Sequence, residues 1–191
     1  MHAAPQDDLR LRGLGPAAMI GGGLVGLAGL AATVGIDGIS GSTIFWKSWL
    51  FGFMLTQAIC LGALFFVILR HATKAGWSVT VRRPAEAIAA NLQWTWLLFV
   101  PILVLVWSGK GAVLFQWCDA QYMHSDHVLE GKLGYLNPTF WSIRAIVYLG
   151  VWALLARFYR SQSIAQDSSG DLSHTMRMQW WAPISIVLYG L

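Results

Sequence analysis

A short polar segment between two apolar runs carries residues suited to ionic chemistry. Residues 75–87, AGWSVTVRRPAEA, contain Arg82 and Arg83 just before Pro84 and Glu86. Pro84 is typical of the first turn of a helix, where the positive end of the helix dipole also favours the carboxylate of Glu86. Two interpretations stay open: a capped helix start, or a proton entrance at Glu86 that the two arginines shield. The arginines themselves can pair with Glu86, with lipid phosphates or with a neighbouring subunit.

A second candidate group repeats at helical spacing further along the chain. Trp141, Arg144, Tyr148 and Trp152 recur at i, i+3, i+7 and i+11, so one stripe of a helix carries a cation, a phenol and two indoles. A charge at membrane depth is costly and usually faces the bundle interior or a cavity. Arg144 is therefore expected either to extend outward and stack on its aromatic neighbours or to serve a quinone head group or a proton path.

Gln57 is a polar residue near the centre of an apolar run. We expect its amide to bond another helix, or to line a proton or quinone path. Glu86, Gln57, Arg144 and Tyr148 are thus the proton-path or quinone candidates. Glu86 and Arg144 are expected toward opposite sides of a membrane, which predicts two separate polar regions rather than one ion pair.

The cysteine and histidine content gives little support for a redox metal. Cys60 and Cys118 form no CxxC pair, so no iron–sulfur cluster, zinc site or covalently attached c-type haem is predicted. A b-type haem needs histidines within the spans, and all the histidines are expected in tails or loops: His2, His71, His124, His127 and His174. We expect no catalytic residue and no metal or other cofactor in this chain, although a diffusible quinone or quinol could bind.

One loop does cluster metal-ligand residue types. Residues 117–132, WCDAQYMHSDHVLEGK, hold a group of histidines and carboxylates: Asp119, His124, Asp126, His127 and Glu130. Such side chains can bind a metal or relay protons. Without a third fixed ligand, solvated residues that contact another subunit are the favoured interpretation.

Composition identifies the solvent in which these residues lie. The chain of 191 residues is 56% hydrophobic and only 12% charged, whereas soluble domains carry about 25% charged residues. Its mean hydropathy of +0.55 indicates an integral membrane protein. The net charge of +4 is therefore a matter of membrane topology and does not indicate nucleic-acid binding.

The apolar runs predict an all-α, polytopic transmembrane helix bundle, since about 20 helical residues cross the hydrocarbon core. Four full spans and a partial fifth are predicted: 16–35, 44–69, 84–107, 138–158 and a run from Met176. The first run could instead be a secretion signal, although Asp7 and Asp8 dilute its basic flank. The last run is still apolar at Leu191, which favours either a half-span or a fragment of a longer protein.

Lys and Arg in the connections predict the orientation, because cytoplasmic loops are enriched in both. One side carries the basic groups Arg10, Arg12, Arg70, Lys74, Arg82, Arg83, Arg157, Arg160 and Arg177. The predicted organisation is a cytoplasmic tail (1–15), a four-helix bundle (16–158) with a basic inner loop (70–83) and a long outer loop (108–137), a cytoplasmic connection (159–175) and the start of a fifth span (176–191).

Two blocks of sequence resemble a known family. Residues 75–87 resemble the GWS, RR and E element of the large membrane subunits of alternative complex III, in particular its F subunit. KLGYLNPTFWSIRAIVYLGVWALL (132–155) and SQSIAQD (161–167) are similar to further parts of that subunit. The blocks lie within residues 75–167, which span about half of the chain, and polar residues fall at matching places: Arg82, Arg83, Glu86, Asn137 and Arg144.

The resemblance implies a subunit of a bacterial quinol:electron-acceptor oxidoreductase, related to the membrane anchor of polysulfide reductase. It implies the bacterial cytoplasmic membrane, haem c and iron–sulfur clusters on partner subunits, electron transport with cytochrome c or another acceptor, and proton translocation. The implied partners are the lipid bilayer, the other membrane, cytochrome c and iron–sulfur subunits, and a terminal oxidase. The F subunit has more spans than this sequence, so any pocket that needs further spans is not assigned.

A different class of function stays open beside this one. An independent transporter of ions or small molecules could be built from the same kind of helical bundle. The respiratory hypothesis requires copurification with cytochrome and iron–sulfur subunits, whereas a transporter should be stable and active without them.

Overall fold

The computed structural model of the protein describes residues 20–29, 31, 43–76, 79–125 and 127–190, with the backbone alone for residues 79 and 80. Within these ranges the regular secondary structure is helical and includes no strand. The helices are α1 (Ile20–Gly29), α2 (Thr43–Ala72), α3 (Val79–Ala89), α4 (Thr95–Leu105), α5 (Ala120–Met123), α6 (His127–Glu130), α7 (Pro138–Ser169) and α8 (Ser173–Gly190). The chain divides into two compact units, residues 1–45 and 46–191.

Among the described residues, three helical segments are long and apolar enough to cross a membrane. They cover Thr43–Ala72, Val81–Val113 and Pro138–Ser169, with 30, 33 and 32 residues. The second of these is not one uniform helix, because a 3₁₀ turn (Ala90–Gln93) joins α3 to α4 and a π-helical turn (Val106–Lys110) extends α4. The described residues thus confirm the predicted all-α fold, and these three segments are consistent with a membrane protein.

The structure describes only part of the first predicted span. Of residues 16–35, the structure describes Ile20–Gly29 as a helix, together with residue 31. The predicted tail, residues 1–15, lies wholly outside the described part of the chain. In the unit formed by residues 46–191, α8 begins at Ser173, three residues before the predicted fifth run.

Helix α7 shows local signals at both of its ends. The Asn137 side chain accepts a hydrogen bond of 2.8 Å from the backbone N–H of Phe140, and Pro138 occupies the first turn. At the other end, Gly170 adopts φ 68° and its N–H donates to the Gln166 carbonyl at 2.8 Å. Helix α7 begins at the predicted residue, Pro138, and continues about three turns beyond residue 158, where the predicted span ends.

Because α7 continues to Ser169, much of the predicted connection at 159–175 is helical, and residues 170–172 form the turn between α7 and α8. Asp171 closes this turn: its carboxylate accepts from the Ser173 hydroxyl at 2.6 Å and from the Ser173 N–H at 2.9 Å. These bonds lower the pKa of the exposed Asp171 carboxyl, so the group is ionised at neutral pH and caps α8.

The start of α3 also differs from the prediction. Pro84 lies inside α3, which begins at Val79, and Glu86 is therefore beyond the first turn. The capped start predicted at Pro84 is wrong. Arg82, in the part of α3 that precedes the proline, makes contacts with α7 that are described below, and tertiary contacts of this kind can override a local preference.

Two apolar clusters hold the second unit together. The larger cluster joins α2, α3, α7 and α8 through fully buried side chains that include Leu64, Ile68, Leu92 and Met178. The smaller one is aromatic: the Phe53 and Phe99 rings lie 5.7 Å apart, and the Phe99 and Trp141 rings lie 5.6 Å apart. The two clusters place α2 and α7 beside each site described next.

Candidate functional site

A buried carboxylate stands at the centre of the first polar site. The Glu86 side chain is 0% exposed, and its Oε1 accepts a 2.7 Å bond from the Arg82 Nε. Charge burial of this kind is costly unless the charge is paired. The predicted pairing of Arg82 with Glu86 is therefore present in the structure and is deeply buried.

Arg82 also reaches across to α7. Its Nη2 donates to the Ser163 hydroxyl at 2.6 Å and to the Gln166 Oε1 at 3.4 Å. Gln166 in turn accepts from the Thr175 hydroxyl of α8 at 2.9 Å. One guanidinium thus links α3, α7 and α8. The Arg82 side chain is only 14% exposed, and its bonds to described residues all lie within the chain.

Arg83 is the more accessible arginine of the pair. Its side chain is 41% exposed and forms an ion pair with Asp167 on α7. Its Nη1 lies 3.6 Å from the Glu86 Oε2, and this buried oxygen has no hydrogen bond in the described part of the chain. Arg83 therefore contributes a second, weaker positive charge to Glu86.

Sequence reasoning missed His71, which borders the same site. His71 was expected in a loop, but it lies in the last turn of α2 and is only 2% exposed. Its ring stacks on Tyr159 with centroids 5.5 Å apart, and its Nε2 lies 3.3 Å from the Arg70 Nη1. Helix α2 ends at Ala72, three residues after the predicted run of 44–69, and the His71 imidazole in this last turn packs against an aromatic ring of α7.

Two physical effects follow from the hydrogen-bonded network that Arg82 forms with Glu86, Ser163 and Gln166. It neutralises a carboxylate away from water and fixes the relative register of three helices. A carboxylate that is held by an arginine on one oxygen and has a free second oxygen can also exchange a proton if water reaches it. The structure places the Glu86 side chain out of contact with solvent in this state.

Gln57 and Tyr148 meet in a second site. They line a cavity of about 340 Å³ between α2, α4 and α7, whose walls are otherwise apolar or aromatic and include Trp141 and Trp152. The Tyr148 and Trp152 rings lie 6.0 Å apart at 30°. Three members of the predicted stripe therefore do share one face of α7.

The Gln57 amide is the anomaly of this cavity. The residue is 6% exposed, and neither its Oε1 nor its Nε2 has a hydrogen-bond partner among the described residues. The predicted bond from Gln57 to another helix is thus not found. An unpaired buried amide costs roughly 1–3 kcal/mol, and such a group in an otherwise apolar cavity marks a place where a polar ligand atom would be stabilised.

Arg144 lies apart from this cavity. Its guanidinium carbon sits 3.6 Å above the centre of the Tyr135 ring and 4.7 Å from that of Phe140, and its Nη2 donates to the Tyr135 carbonyl at 3.2 Å. Arg144 therefore stacks on aromatic rings, which was one of the two predicted roles, but the rings are those of Tyr135 and Phe140 and not those of the predicted stripe. Arg144 and Ser163 are 19 residues apart on α7, about 28 Å along the helix, so Arg144 and Glu86 form the two separate polar regions that were predicted.

The loop after α4 arranges its histidines and carboxylates without a metal-like cluster in the described residues, which exclude Asp126. The His124 Nδ1 lies 3.4 Å from the Glu130 Oε1, and both side chains are more than half exposed. Burial raises the pKa of the Cys118 thiol to about 11, so the neutral form, a poor ligand and nucleophile, predominates at neutral pH. A Cβ atom added to Gly111 would lie only 2.7 Å from the Cys118 sulfur, so the sulfur packs closely against this glycine.

Comparison with known proteins does not identify a family for this chain. No protein-family model and no curated protein matches this chain.

Proposed function

We propose that this protein is an integral membrane subunit, without a redox metal of its own, of a bacterial respiratory quinol:electron-acceptor oxidoreductase of the alternative complex III type. One observation carries the proposal. The two sequence blocks that resemble the F subunit are far apart in the chain, yet Arg82 and Arg83 of the first bond Ser163, Gln166 and Asp167 of the second. A shared motif whose parts contact each other is more specific than two separate matches.

The subunit contributes a scaffold and a binding site for a quinone ring in the cavity of Gln57 and Tyr148. A quinone head group is flat and carries carbonyl oxygens that accept hydrogen bonds. The cavity offers indole and phenyl walls for stacking, the unpaired amide of Gln57 as a donor, and the phenol of Tyr148 in its lining. The partner subunits, with haem c and iron–sulfur clusters, supply the electron transfer.

In the same proposal, four spans cross the cytoplasmic membrane, α8 begins a fifth, and the N-terminus and residues 70–83 are cytoplasmic. Single cysteines at Thr73 and Ser125, in a chain whose Cys60 and Cys118 are both replaced by Ala, test this orientation. A membrane-impermeant maleimide added to intact spheroplasts should label Ser125→Cys and leave Thr73→Cys unlabelled until the cells are opened. Labelling of Thr73→Cys from outside would reverse the topology.

Purification of the complex tests the function. The tagged full-length chain, extracted from native membranes in a mild detergent, should copurify with a multihaem cytochrome and an iron–sulfur protein in fixed stoichiometry. The same tag on an unrelated multi-pass protein from the same membranes is the control for nonspecific capture. A chain that purifies alone, stays folded and transports a solute in vesicles would contradict the proposal and favour an independent transporter.

A further inference from the structure

A second cavity opens between α7 and α8, away from both sites above. It has a volume of about 350 Å³, within the range of sites that hold small apolar molecules. Leu154 and Phe158 of α7 and Leu188 of α8 line its length, and Arg177 and Trp181 stand at one end. The cavity is therefore an apolar groove with a single cation at its rim.

Arg177 has no counter-charge in the part of the chain that the structure describes. It is exposed, and no hydrogen bond or ion pair joins it to the described residues. By contrast, Arg82 and Arg83 are held by carboxylates. The free guanidinium can bind an anion, and its planar fork suits phosphate oxygens in particular.

Arg177 lies near the polar start of α8, where a membrane surface is expected if α8 enters the bilayer. It follows the capped first residue of α8, Ser173, by one helical turn, about 6 Å, and the polar turn 170–172 precedes that residue. Trp180 is 68% exposed and Trp181 is 39% exposed, and indoles of this kind form a belt at the level of lipid head groups. The apolar part of the groove extends from this level toward Leu188.

Arg157 is a further basic residue at this end. It precedes Phe158, whose ring contacts that of Trp181 at 6.3 Å, and it is exposed. Basic groups between spanning helices on one side of a membrane attract anionic lipid head groups. The charge and the groove therefore belong to one surface.

We propose that this groove binds one anionic phospholipid, with the phosphate on Arg177 and an acyl chain along Leu154, Phe158 and Leu188. Both parts of the surface are needed for this assignment. Inorganic phosphate would use the cation and leave the apolar groove empty, whereas an apolar partner helix would bury Arg177 without a counter-charge, which is costly. A phospholipid satisfies both at once, and the proposal depends only on the membrane location of the chain.

Native mass spectrometry of the full-length protein, released from detergent micelles, tests the site. Phosphatidylglycerol and phosphatidylcholine with identical acyl chains are titrated against the wild type and three variants: Arg177→Gln, Leu154→Trp and Lys132→Gln. Arg177→Gln should lower the affinity for the first bound phosphatidylglycerol molecule about tenfold, because a charge-assisted hydrogen bond is lost. In Leu154→Trp the larger side chain projects into the groove, so the affinity for both lipids should fall. Lys132→Gln, the matched control, removes a distant charge and should leave both affinities unchanged.

Thermal unfolding of each variant without lipid shows whether it is folded, and millimolar inorganic phosphate is added as a competitor. Equal affinity for the two lipids, or an equal loss in Arg177→Gln and Lys132→Gln, would overturn the proposal, since the charge would then act without a defined site. Displacement of the lipid by inorganic phosphate would overturn it as well. Cross-linking of the variant Leu154→Cys to a protein helix in native membranes would overturn the proposal too. If the proposal is correct, this cysteine stays accessible to lipid-soluble reagents.

Discussion

Arg82→Leu is expected to lower the free energy of unfolding by about 3–5 kcal/mol, the usual cost of removing one partner of a buried ion pair. The variant leaves the Glu86 carboxylate 0% exposed, with only the Arg83 contact at 3.6 Å, and it also removes the bond to Ser163. Unfolding of the purified protein in detergent, followed by tryptophan fluorescence, measures the loss.

Companion variants identify the cause of this loss. Arg83→Gln removes an equal charge from a side chain that is 41% exposed, so it should cost at most about 1 kcal/mol. Arg82→Lys keeps the charge but loses the planar guanidinium that reaches two helices. Its loss of unfolding free energy should lie between those of Arg82→Leu and Arg83→Gln. The double variant Arg82→Leu with Glu86→Leu removes both charges and should recover much of the stability. Equal losses in Arg82→Leu and Arg83→Gln would contradict a buried, specific pair.

The contrast between these two arginines shows where sequence reasoning reaches its limit. The sequence indicates that Arg82 and Arg83 can pair with Glu86, because the three residues are close neighbours in the chain. It contains no signal that singles out Ser163, 81 residues away from Arg82. Which arginine is buried depends on the face of α3 that meets α7, and the sequence alone predicts no such face.

The end of α7 was missed for a related reason. Hydropathy reports the length of the apolar stretch, and residues 159–169 are too polar to be counted as a span. Those residues nevertheless remain helical, since Ser163, Gln166 and Asp167 find partners on α3. Gly170 was the available local signal, because glycine commonly follows the last residue of a helix.

The stripe on α7 was predicted correctly in part. Spacing alone placed Trp141, Tyr148 and Trp152 together, and the structure finds all three in the lining of one cavity. The same spacing could not place Arg144, which sits at the margin of that face and turns toward Tyr135 in the preceding loop. Loop geometry is not periodic, so no pattern in the helix identifies this partner.

Gln57→Met is expected to stabilise the protein and to weaken quinone binding at the same time. Methionine has a similar shape and no polar atoms, so the variant removes a buried amide whose two polar atoms are unpaired. The gain should be about 1–3 kcal/mol, which raises Tm by several degrees for a chain of this size. Gln93→Met is the matched control, because the Gln93 amide already donates to the Ala90 carbonyl at 3.2 Å, and its loss should be neutral or slightly destabilising.

Quinone binding provides the second readout of the same variant. A short-chain quinone that enters the cavity should quench the fluorescence of Trp141 and Trp152, and its affinity should fall about tenfold in Gln57→Met, since a ligand oxygen loses its hydrogen-bond donor. Tyr148→Phe should weaken the same ligand without a comparable rise in Tm, because Tyr148 is only half-buried. A variant Gln57→Met that is more stable but binds the quinone unchanged would assign the amide to a packing defect and remove the cavity from the proposed function. A variant that is less stable would show that the amide finds a partner in the membrane, for example a further helix.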